Sequence, residues 1–338
     1  MGPLSLWNAG IETSAEGFAR DQAMMTVVAD AGLPLARLWR RDRPALCLGR
    51  FHRRPAPAPG ALERRWSGGR AVVLGPGIAA MTLVLPSVDG LGSGGEALRP
   101  DQVLNRALRP LLAALTTVGL APFYAGRDLI TVGGRTVAHA SFSVAADGVC
   151  IVEQHVAVDT SFAELGRLLA EHDPEGVSVV DRDSFEPAAS IGELATRQGP
   201  DAWEQTWSQE IVRAWNAGMG DLESWCSGVS LHLADRAAHE AFLAERGPLA
   251  DDESSEVERT MLGAVEASAR LCDGRLNGLL ISGDIIAPFH TLDEISAGLE
   301  GKRPEPAVVR RVMTSVMSTP RNFILGTTEL DGLIARLA

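Results

Sequence analysis

The residues best suited to chemistry form a glycine-rich loop flanked by arginines at positions 64–70, followed by an apolar segment at 71–74. Two adjacent glycines, Gly68 and Gly69, allow backbone N–H groups to approach a ligand closely. The arginines on either side carry guanidinium groups, which bind phosphate or carboxylate through paired hydrogen bonds. We interpret the loop as a candidate anion site that runs into a strand. A solvated basic turn is the equally weighted alternative, because a lone glycine-rich loop is a weak signal.

A second segment, residues 128–141, is typical of a hairpin that could face this loop. Its centre, Gly133-Gly134, suits a two-residue turn. His139 within the hairpin and His155 on the strand that follows are the only nearby groups that titrate near neutral pH. A lone histidine on a strand is more often a satisfied core or surface residue, so both proton transfer and packing stay open for this pair.

The rest of the chain alternates between strands and helices. Ser14 is expected to cap the first helix, Gly32 to end it, and Asp101 to cap a later helix. Antiparallel strands interleaved with helices indicate an α+β fold. Apolar periodicity predicts helices at 14–31, 101–118, 161–171, 190–197, 203–215, 235–246, 292–299 and 306–317, and strands at 35–40, 45–50, 71–74, 79–85, 129–132, 136–143, 149–158, 261–271 and 276–282.

Composition narrows the class of protein. The 338 residues carry a net charge of −12, which argues against unspecific binding to nucleic acid or to an anionic membrane. No signal peptide and no run of about 18 apolar residues are visible, so we expect a cytoplasmic protein. Lys302 is the only lysine. No CxxC spacing occurs, so no metal site is predicted, and free thiols are expected for Cys47, Cys150, Cys226 and Cys272.

Four short segments occur in an order that resembles a known superfamily. They are 44–51 with Leu48-Gly49-Arg50, the loop at 65–72, the hairpin start at 128–135, and Gln154-His155. Their order and spacing are similar to the biotin/lipoate ligase superfamily, specifically its lipoate ligase and octanoyltransferase branch. The resemblance covers roughly residues 14–215. It implies the catalytic-domain fold of that family, with mixed, mostly antiparallel sheets and flanking helices.

The C-terminal part carries a second resemblance. Residues 273–276, 280–288 and 299–302 look like the accessory C-terminal domain of lipoate ligases, a small α+β unit that assists the adenylation step. Octanoyltransferases generally lack it, so it favours the ligase branch. The resulting division predicts a ligase-like domain at 1–246, a linker at 247–255 and an accessory-like domain at 256–338.

The resemblance also implies roles for individual residues. Thr136 stands at the position of the family's lysine, and His155 matches a histidine of the family. With His139, which departs from the small residues usual at its position, they make up the predicted catalytic set. Binding of the acyl chain, its carboxyl end or a nucleotide is implied for Arg50, Arg65, Ser67, Gly68, Gly69, Arg70, Asp128 and Arg135.

The missing lysine is the main departure from the family. That lysine polarises the acyl carbonyl and holds the phosphate, stabilising charge that develops on oxygen. Thr136 supplies one neutral hydrogen bond and no charge. Arg135 is adjacent but should point to the opposite face of its strand, whereas Arg70 enters the loop and is the arginine expected to reach a phosphate. Cys150 is expected to be a buried structural thiol rather than an acyl-carrying nucleophile.

The resemblance implies a lipoate–protein ligase-like enzyme. It would activate a lipoyl or related medium-chain acid with ATP and Mg²⁺, through an acyl-adenylate, and transfer the acyl group to an amine. The expected acceptor is a lipoyl-domain lysine or a small-molecule amine, with no nucleic-acid or membrane partner. The missing lysine leaves two alternatives open: a non-catalytic protein that binds lipoyl groups or lipoyl domains, and a ligase that forms amides on small molecules.

Overall fold

The computed structural model describes residues 4–56, 61–91, 98–172, 180, 185–195, 201–215, 218–219 and 236–338. Three sequence predictions fall partly or wholly outside these ranges: the end of the helix predicted at 190–197, the start of the helix predicted at 235–246, and the thiol of Cys226. Within the described ranges, no helix combines the length and apolarity needed to cross a bilayer.

The elements follow one another as an α+β chain, as predicted. The helices are α1 (Ser14–Ala31), α2 (Val103–Ala107), α3 (Arg109–Thr117), α4 (Glu164–His172), α5 (Ile191–Leu194), α6 (Asp201–Trp215), α7 (Arg236–Ala244), α8 (Thr291–Leu299), α9 (Pro306–Met317) and α10 (Leu330–Ala335). The strands are β1 (Ser5–Glu12), β2 (Leu35–Arg41), β3 (Ala45–Leu48), β4 (Leu62–Arg64), β5 (Val72–Leu74), β6 (Ile78–Leu85), β7 (Pro122–Tyr124), β8 (Leu129–Val132), β9 (Arg135–Val144), β10 (Cys150–Ala157), β11 (Gly218–Met219), β12 (Ser254–Thr260), β13 (Gly263–Cys272) and β14 (Arg275–Gly283).

A mixed eight-stranded sheet carries most of the core, in the order β11-β1-β2-β6-β10-β9-β8-β7. β1 pairs in parallel with β2 and β11, and the remaining neighbours are antiparallel. Side chains on successive residues of a strand point to opposite faces. On β9, Ala138, Ala140 and Phe142 therefore join the main apolar cluster with residues of α2, α3 and α6, whereas His139 and Ser141 face the other way.

A three-stranded sheet lies over that second face, in the order β4-β3-β5. Leu46, Leu48 and Val72 from this small sheet form an apolar cluster with Trp39 of β2 and Ala80 of β6. The glycine-rich loop follows β4 and leads into β5. It therefore lies between the two sheets, where both of its flanks are fixed by strands.

Two helix predictions need correction. Thr13, not Ser14, caps α1: its hydroxyl accepts from the Glu16 N–H, and the Glu16 carboxylate accepts from the Thr13 N–H at 2.8 Å. The helix predicted at 101–118 is broken into a 3₁₀ turn, α2 and α3. Pro110 at the start of α3 has no N–H to donate, so the helix cannot run through it unbroken.

The C-terminal part contains the sheet β12-β13-β14, with α8 and α10 packed against it and α9 packed against these two helices. The predicted hairpin between β13 and β14 is present, and its turn residues Asp273 and Gly274 both have positive φ. β12 begins at Ser254, inside the segment that the sequence assigns to a linker. Arg53 holds this segment by donating to the Gly247 carbonyl at 3.4 Å and to Glu253 at 3.1 Å.

Candidate functional site

Polar side chains line the covered face of the large sheet. His139, Ser141 and Ser143 on β9 and Glu153 and His155 on β10 are all buried there, in neighbouring register. The glycine-rich loop packs against this row of side chains. The structure thus brings together the loop and the hairpin that the sequence suggested would face each other.

The backbone donors of the loop are engaged within the protein. The Ser67 N–H donates to the Glu153 carboxylate at 2.7 Å, and the Gly68 N–H donates to the Ser143 hydroxyl at 3.2 Å. The Gly69 N–H donates to the Ile285 carbonyl at 2.6 Å. In this conformation the three N–H groups predicted to cradle an anion hold a carboxylate, a hydroxyl and a carbonyl of the chain itself.

The two glycines of the loop permit this close packing. A Cβ at Gly68 would lie 2.1 Å from the Ile285 carbonyl oxygen. Gly69 has a φ of +75°, a conformation that side-chain-bearing residues rarely adopt. The segment after β14 is what lies against the two glycines. The sequence had predicted that a ligand would lie there.

Arg65 shapes the loop from inside. Its guanidinium donates to the Ser67 hydroxyl at 3.1 Å and to the Gly68 and Arg70 carbonyls at 2.5 and 2.6 Å. The side chain is buried. These bonds stabilise the curve of the loop, and they occupy the donors that a phosphate or carboxylate would use.

Arg70 and Asp128 form a buried pair that joins the loop to the hairpin. Nε of Arg70 lies 2.5 Å from Oδ2 of Asp128, and Arg70 also donates to the Met261 carbonyl at 3.1 Å. Burial raises the pKa of Asp128 to about 6, because the cost of desolvating the carboxylate exceeds the attraction of Arg70. Oδ1 of Asp128 has no hydrogen-bond partner among the described residues.

Arg50 meets the loop through its backbone and points its side chain elsewhere. Its N–H donates to the Ser67 carbonyl at 2.9 Å. The guanidinium lies over the ring of Phe289 at 4.2 Å, with Phe242 and Trp66 at 5.2 and 5.6 Å. Burial lowers the pKa of Arg50. The guanidinium is thus held by cation–π contacts rather than by the row of polar side chains.

Thr136 is covered by a second segment of the chain. Its N–H donates to the Pro187 carbonyl at 2.8 Å, and its carbonyl accepts from the Ala189 N–H at 2.9 Å. Residues 185–190 therefore run along the start of β9. Arg135 points outward, where it donates to the Ala188 carbonyl at 2.8 Å and pairs with Glu193 at 2.7 Å. Strand alternation predicted this outward direction.

His139 and His155 stack face to face beneath the loop. Their ring centroids are 5.7 Å apart with an interplanar angle of 13°, and their Nδ1 atoms lie 3.4 Å apart. Burial lowers the pKa of each well below 6.5, with nearby Arg65 adding to the effect. Both rings are therefore neutral at neutral pH. Nε2 of His139 has no partner in the described structure, and Phe185 packs edge-on at 5.8 Å.

The cysteines near the site are not poised for nucleophilic attack. Cys47 and Cys150 are buried, and desolvation raises the pKa of each thiol to about 12. A thiol with so high a pKa holds almost no thiolate at neutral pH. Cys150 lies in the main apolar cluster on the opposite face of the sheet from His155. Among the described residues, no group of three or more His, Cys, Asp or Glu is placed to hold a metal ion.

Sequence reasoning missed a network of buried charges beside the site. Arg37 pairs with Asp21 of α1 at 2.5 Å and also with Glu12, and Arg41 pairs with Glu63 at 2.7 Å. Arg37 and Arg41 occupy inward positions of β2, two residues on either side of the buried Trp39. Charges at inward positions of an otherwise apolar strand are the signal that could have found them, because buried charges require partners.

The chain is similar to known proteins in sequence and in structure. No family model matches the chain. A curated protein of Kyrpidia tusciae, octanoyl-[GcvH]:protein N-octanoyltransferase, is 34% identical over 149 residues, or 39% of this chain and 49% of that protein. The chain thus matches about half the length of this relative.

Solved structures share the fold. P. falciparum LipL1, crystallised with lipoate, superposes with a TM-score of 0.68 at 10% identity over 99% of both chains. The bipartite lipoate protein ligase of Thermoplasma acidophilum gives a TM-score of 0.50 at 15% identity, covering 65% of this chain and 87% of that chain. The fold is that of lipoate–protein ligases. The curated match and these solved structures are thus all lipoate ligases or octanoyltransferases, the proteins that the sequence motifs resemble.

Proposed function

We propose that the protein transfers an octanoyl or lipoyl group to an amine acceptor, in the first instance the lysine of a lipoyl domain. The observation that carries the proposal is the 34% identity to a protein named as an octanoyltransferase. The lipoate-ligase fold over the whole chain supports it. A cytoplasmic location belongs to the same proposal, in keeping with the free thiols of Cys47, Cys150 and Cys272.

The buried imidazoles offer a proton acceptor for the reaction, although their lowered pKa makes them weak bases until they are uncovered. When an amine attacks the acyl carbonyl, a C–N bond forms, the bond to the leaving group breaks, and the nitrogen must lose a proton. The low pKa of His139 keeps its ring unprotonated at neutral pH, and Nε2 is unpartnered. An unprotonated imidazole can accept the acidic proton of the tetrahedral intermediate. Residues 185–190 cover Thr136 and His139, so this role requires them to move aside.

ATP and Mg²⁺ belong to the ligase form of the proposal, and the residues present do not fit them well. The loop donors and the Arg65 guanidinium are engaged within the protein, and the described residues contain no acidic or histidine cluster for a metal. We assign no step to ATP. Moving an acyl group from an amine of one protein carrier to an amine of another breaks one C–N bond as it forms the next, so it needs no triphosphate site, which favours the transferase form.

The test is transfer to a purified lipoyl domain, followed by intact-mass measurement of the acceptor. One reaction contains octanoylated GcvH without nucleotide, and a second contains octanoate or lipoate with ATP and Mg²⁺. Acylation in the first reaction supports the transferase form, and acylation with AMP release in the second supports the ligase form. His139→Gln should slow either reaction at least tenfold. His290→Gln, which alters a histidine bonded to Asn322 at 2.9 Å in the C-terminal part, is the matched control. If neither reaction acylates a lipoyl domain, the proposal fails.

A second candidate function is acyl binding without turnover. Thr136 in place of the family lysine, together with the engaged loop donors, favours it. In that case calorimetry would detect binding of lipoate or of the octanoylated carrier, while neither transfer reaction would acylate the lipoyl domain. Thr136→Lys would then be informative, because AMP release that appears only in this variant would mean that the lysine alone was missing.

A further inference from the structure

A cavity of about 170 Å³ lies on the opposite face of β9 from His139, where the large sheet meets the C-terminal part. Leu104 of α2 and Phe142 of β9 form one wall, and Leu262, Ile286 and Leu325 form the other. None of the residues predicted for the site lines it. Its walls are mainly apolar, so an apolar group would be desolvated there.

The volume sets the size of the occupant. Apolar cavities of about 150 Å³ bind benzene and stay free of water. A cavity of 170 Å³ therefore suits an apolar group of roughly six to eight carbons. The walls are well fixed: Phe142 stacks on Phe323 at 5.5 Å, and Ile286 and Leu325 exchange two backbone hydrogen bonds at 3.1 and 2.9 Å.

The polar rim sets the charge of the occupant. Asp101 and Arg127 both contribute to the lining. Asp101 forms an exposed ion pair at 2.9 Å with Arg99, which lies outside the lining. The exposed Arg127 has no ion pair among the described residues, and its backbone carbonyl accepts the Tyr124 hydroxyl at 2.6 Å. The rim thus presents an uncompensated positive charge, which selects a carboxylate over an amine.

We propose that this cavity is a binding site for a carboxylate with an apolar group of about six to eight carbons, its chain among Phe142, Ile286 and Leu325 and its head at Arg127. The site stands whether or not the chain transfers acyl groups, because none of its residues belongs to the predicted catalytic set.

The cavity also touches the segment that holds the loop. Ile286 lines the cavity, while the carbonyl of the preceding Ile285 accepts from Gly69. The next carbonyl, of Ala287, accepts from Ser143 at 2.9 Å. An occupant that packs on Ile286 therefore stabilises the docked position of this segment against the loop.

The test is calorimetric titration of the full chain with hexanoate, octanoate and octylamine. We expect saturable octanoate binding, weaker hexanoate binding and no octylamine binding. Arg127→Glu should weaken octanoate binding about tenfold or more, and Arg109→Glu, an exposed arginine outside the lining, should not. Leu104→Phe fills the cavity and should abolish binding, and Leu112→Phe on α3 is its control.

Unfolding midpoints of all four variants separate loss of binding from loss of fold. Equal binding of octanoate and octylamine would overturn the proposal. So would octanoate binding that survives both Leu104→Phe and Arg127→Glu, or that is lost instead in Phe185→Ala, because the acid would then lie under residues 185–190. These binding outcomes can be interpreted even if the protein shows no acyl transfer, because none of them depends on turnover.

Discussion

Gly69 donates its backbone N–H to the carbonyl of Ile285 at 2.6 Å, across 216 positions of sequence. This bond joins the glycine-rich loop to the segment that follows β14. Beside it, the His52 ring lies 3.0 Å from the Asp284 carboxylate, and Phe51 joins the apolar cluster of the C-terminal part. The C-terminal part is therefore a structural neighbour of the candidate site.

Gly68→Ala should loosen this junction. The new Cβ would lie 2.1 Å from a backbone oxygen that has little freedom to move. We expect a loss of about 1–3 kcal/mol in the free energy of unfolding and faster proteolysis near residues 247–253. Urea unfolding and limited trypsin digestion measure the two effects. Gly247→Ala, where a Cβ meets nothing within 4 Å, is the matched control, and equal stability of the two variants would contradict the packing described for Gly68.

Glu153→Ala should free the Ser67 N–H. An unpaired buried donor costs about 1–3 kcal/mol, and the loss of the carboxylate also removes a negative charge near Arg65. Glu153→Gln keeps an acceptor oxygen and should cost less. We also expect phosphate to raise the unfolding midpoint of Glu153→Ala more than that of the native protein. No difference between the two variants in either measurement would mean that Glu153 does not hold the loop.

Asp128 should make stability fall as pH rises. Its pKa is raised to about 6 in the folded protein, above the usual value near 3.9, so the folded state binds the proton more tightly. The stability contributed by the protonated form is complete below about pH 4 and is lost as pH rises through about 6. The difference is about 3 kcal/mol, from a shift of about two pKa units. In urea unfolding across this pH range, the free energy of unfolding should fall less steeply with pH for Asp128→Asn than for the native protein. The exposed Asp89→Asn should show the native dependence on pH.

His139 and His155 should make the stability of the fold decrease as pH is lowered, which is opposite to the effect of Asp128. Both rings have a pKa well below 6.5 when folded, so the unfolded chain takes up protons that the folded chain excludes. Stability is therefore complete above pH 6.5 and falls as pH drops below it, by about 1.4 kcal/mol for each pKa unit and each ring. His155→Gln should flatten this fall. Protonation of either native ring near pH 6.5, seen by NMR titration, would contradict the burial of the pair.

The sequence predicted those parts of the fold that depend on local pattern. Alternation and a Gly-Gly turn gave the hairpin β8–β9, and helical periodicity gave α1 and α9. Pro110 was visible in the sequence, yet the apolar stripe around it dominated the helix prediction. The α+β class followed from strands interleaved with helices, and motif order predicted the likeness to lipoate ligases and octanoyltransferases.

The hydrogen-bond partners of the glycine-rich loop could not be predicted from the sequence. Ser67 and Glu153 are 86 positions apart, and Gly68 and Ser143 are 75 apart. Nothing local indicates that a glutamate on β10 would satisfy an N–H group of this loop. The glycines were correctly marked as sites of close approach, but the approaching group is set by tertiary packing.

The main chain of Thr136 is anchored on both sides, by Pro187 and by Ala189. Neither bond involves the side chain, so the identity of residue 136 does not determine the path of the backbone. The course of the main chain at position 136 is therefore set by its neighbours, and a substitution there changes mainly the side chain that is buried beneath residues 185–190.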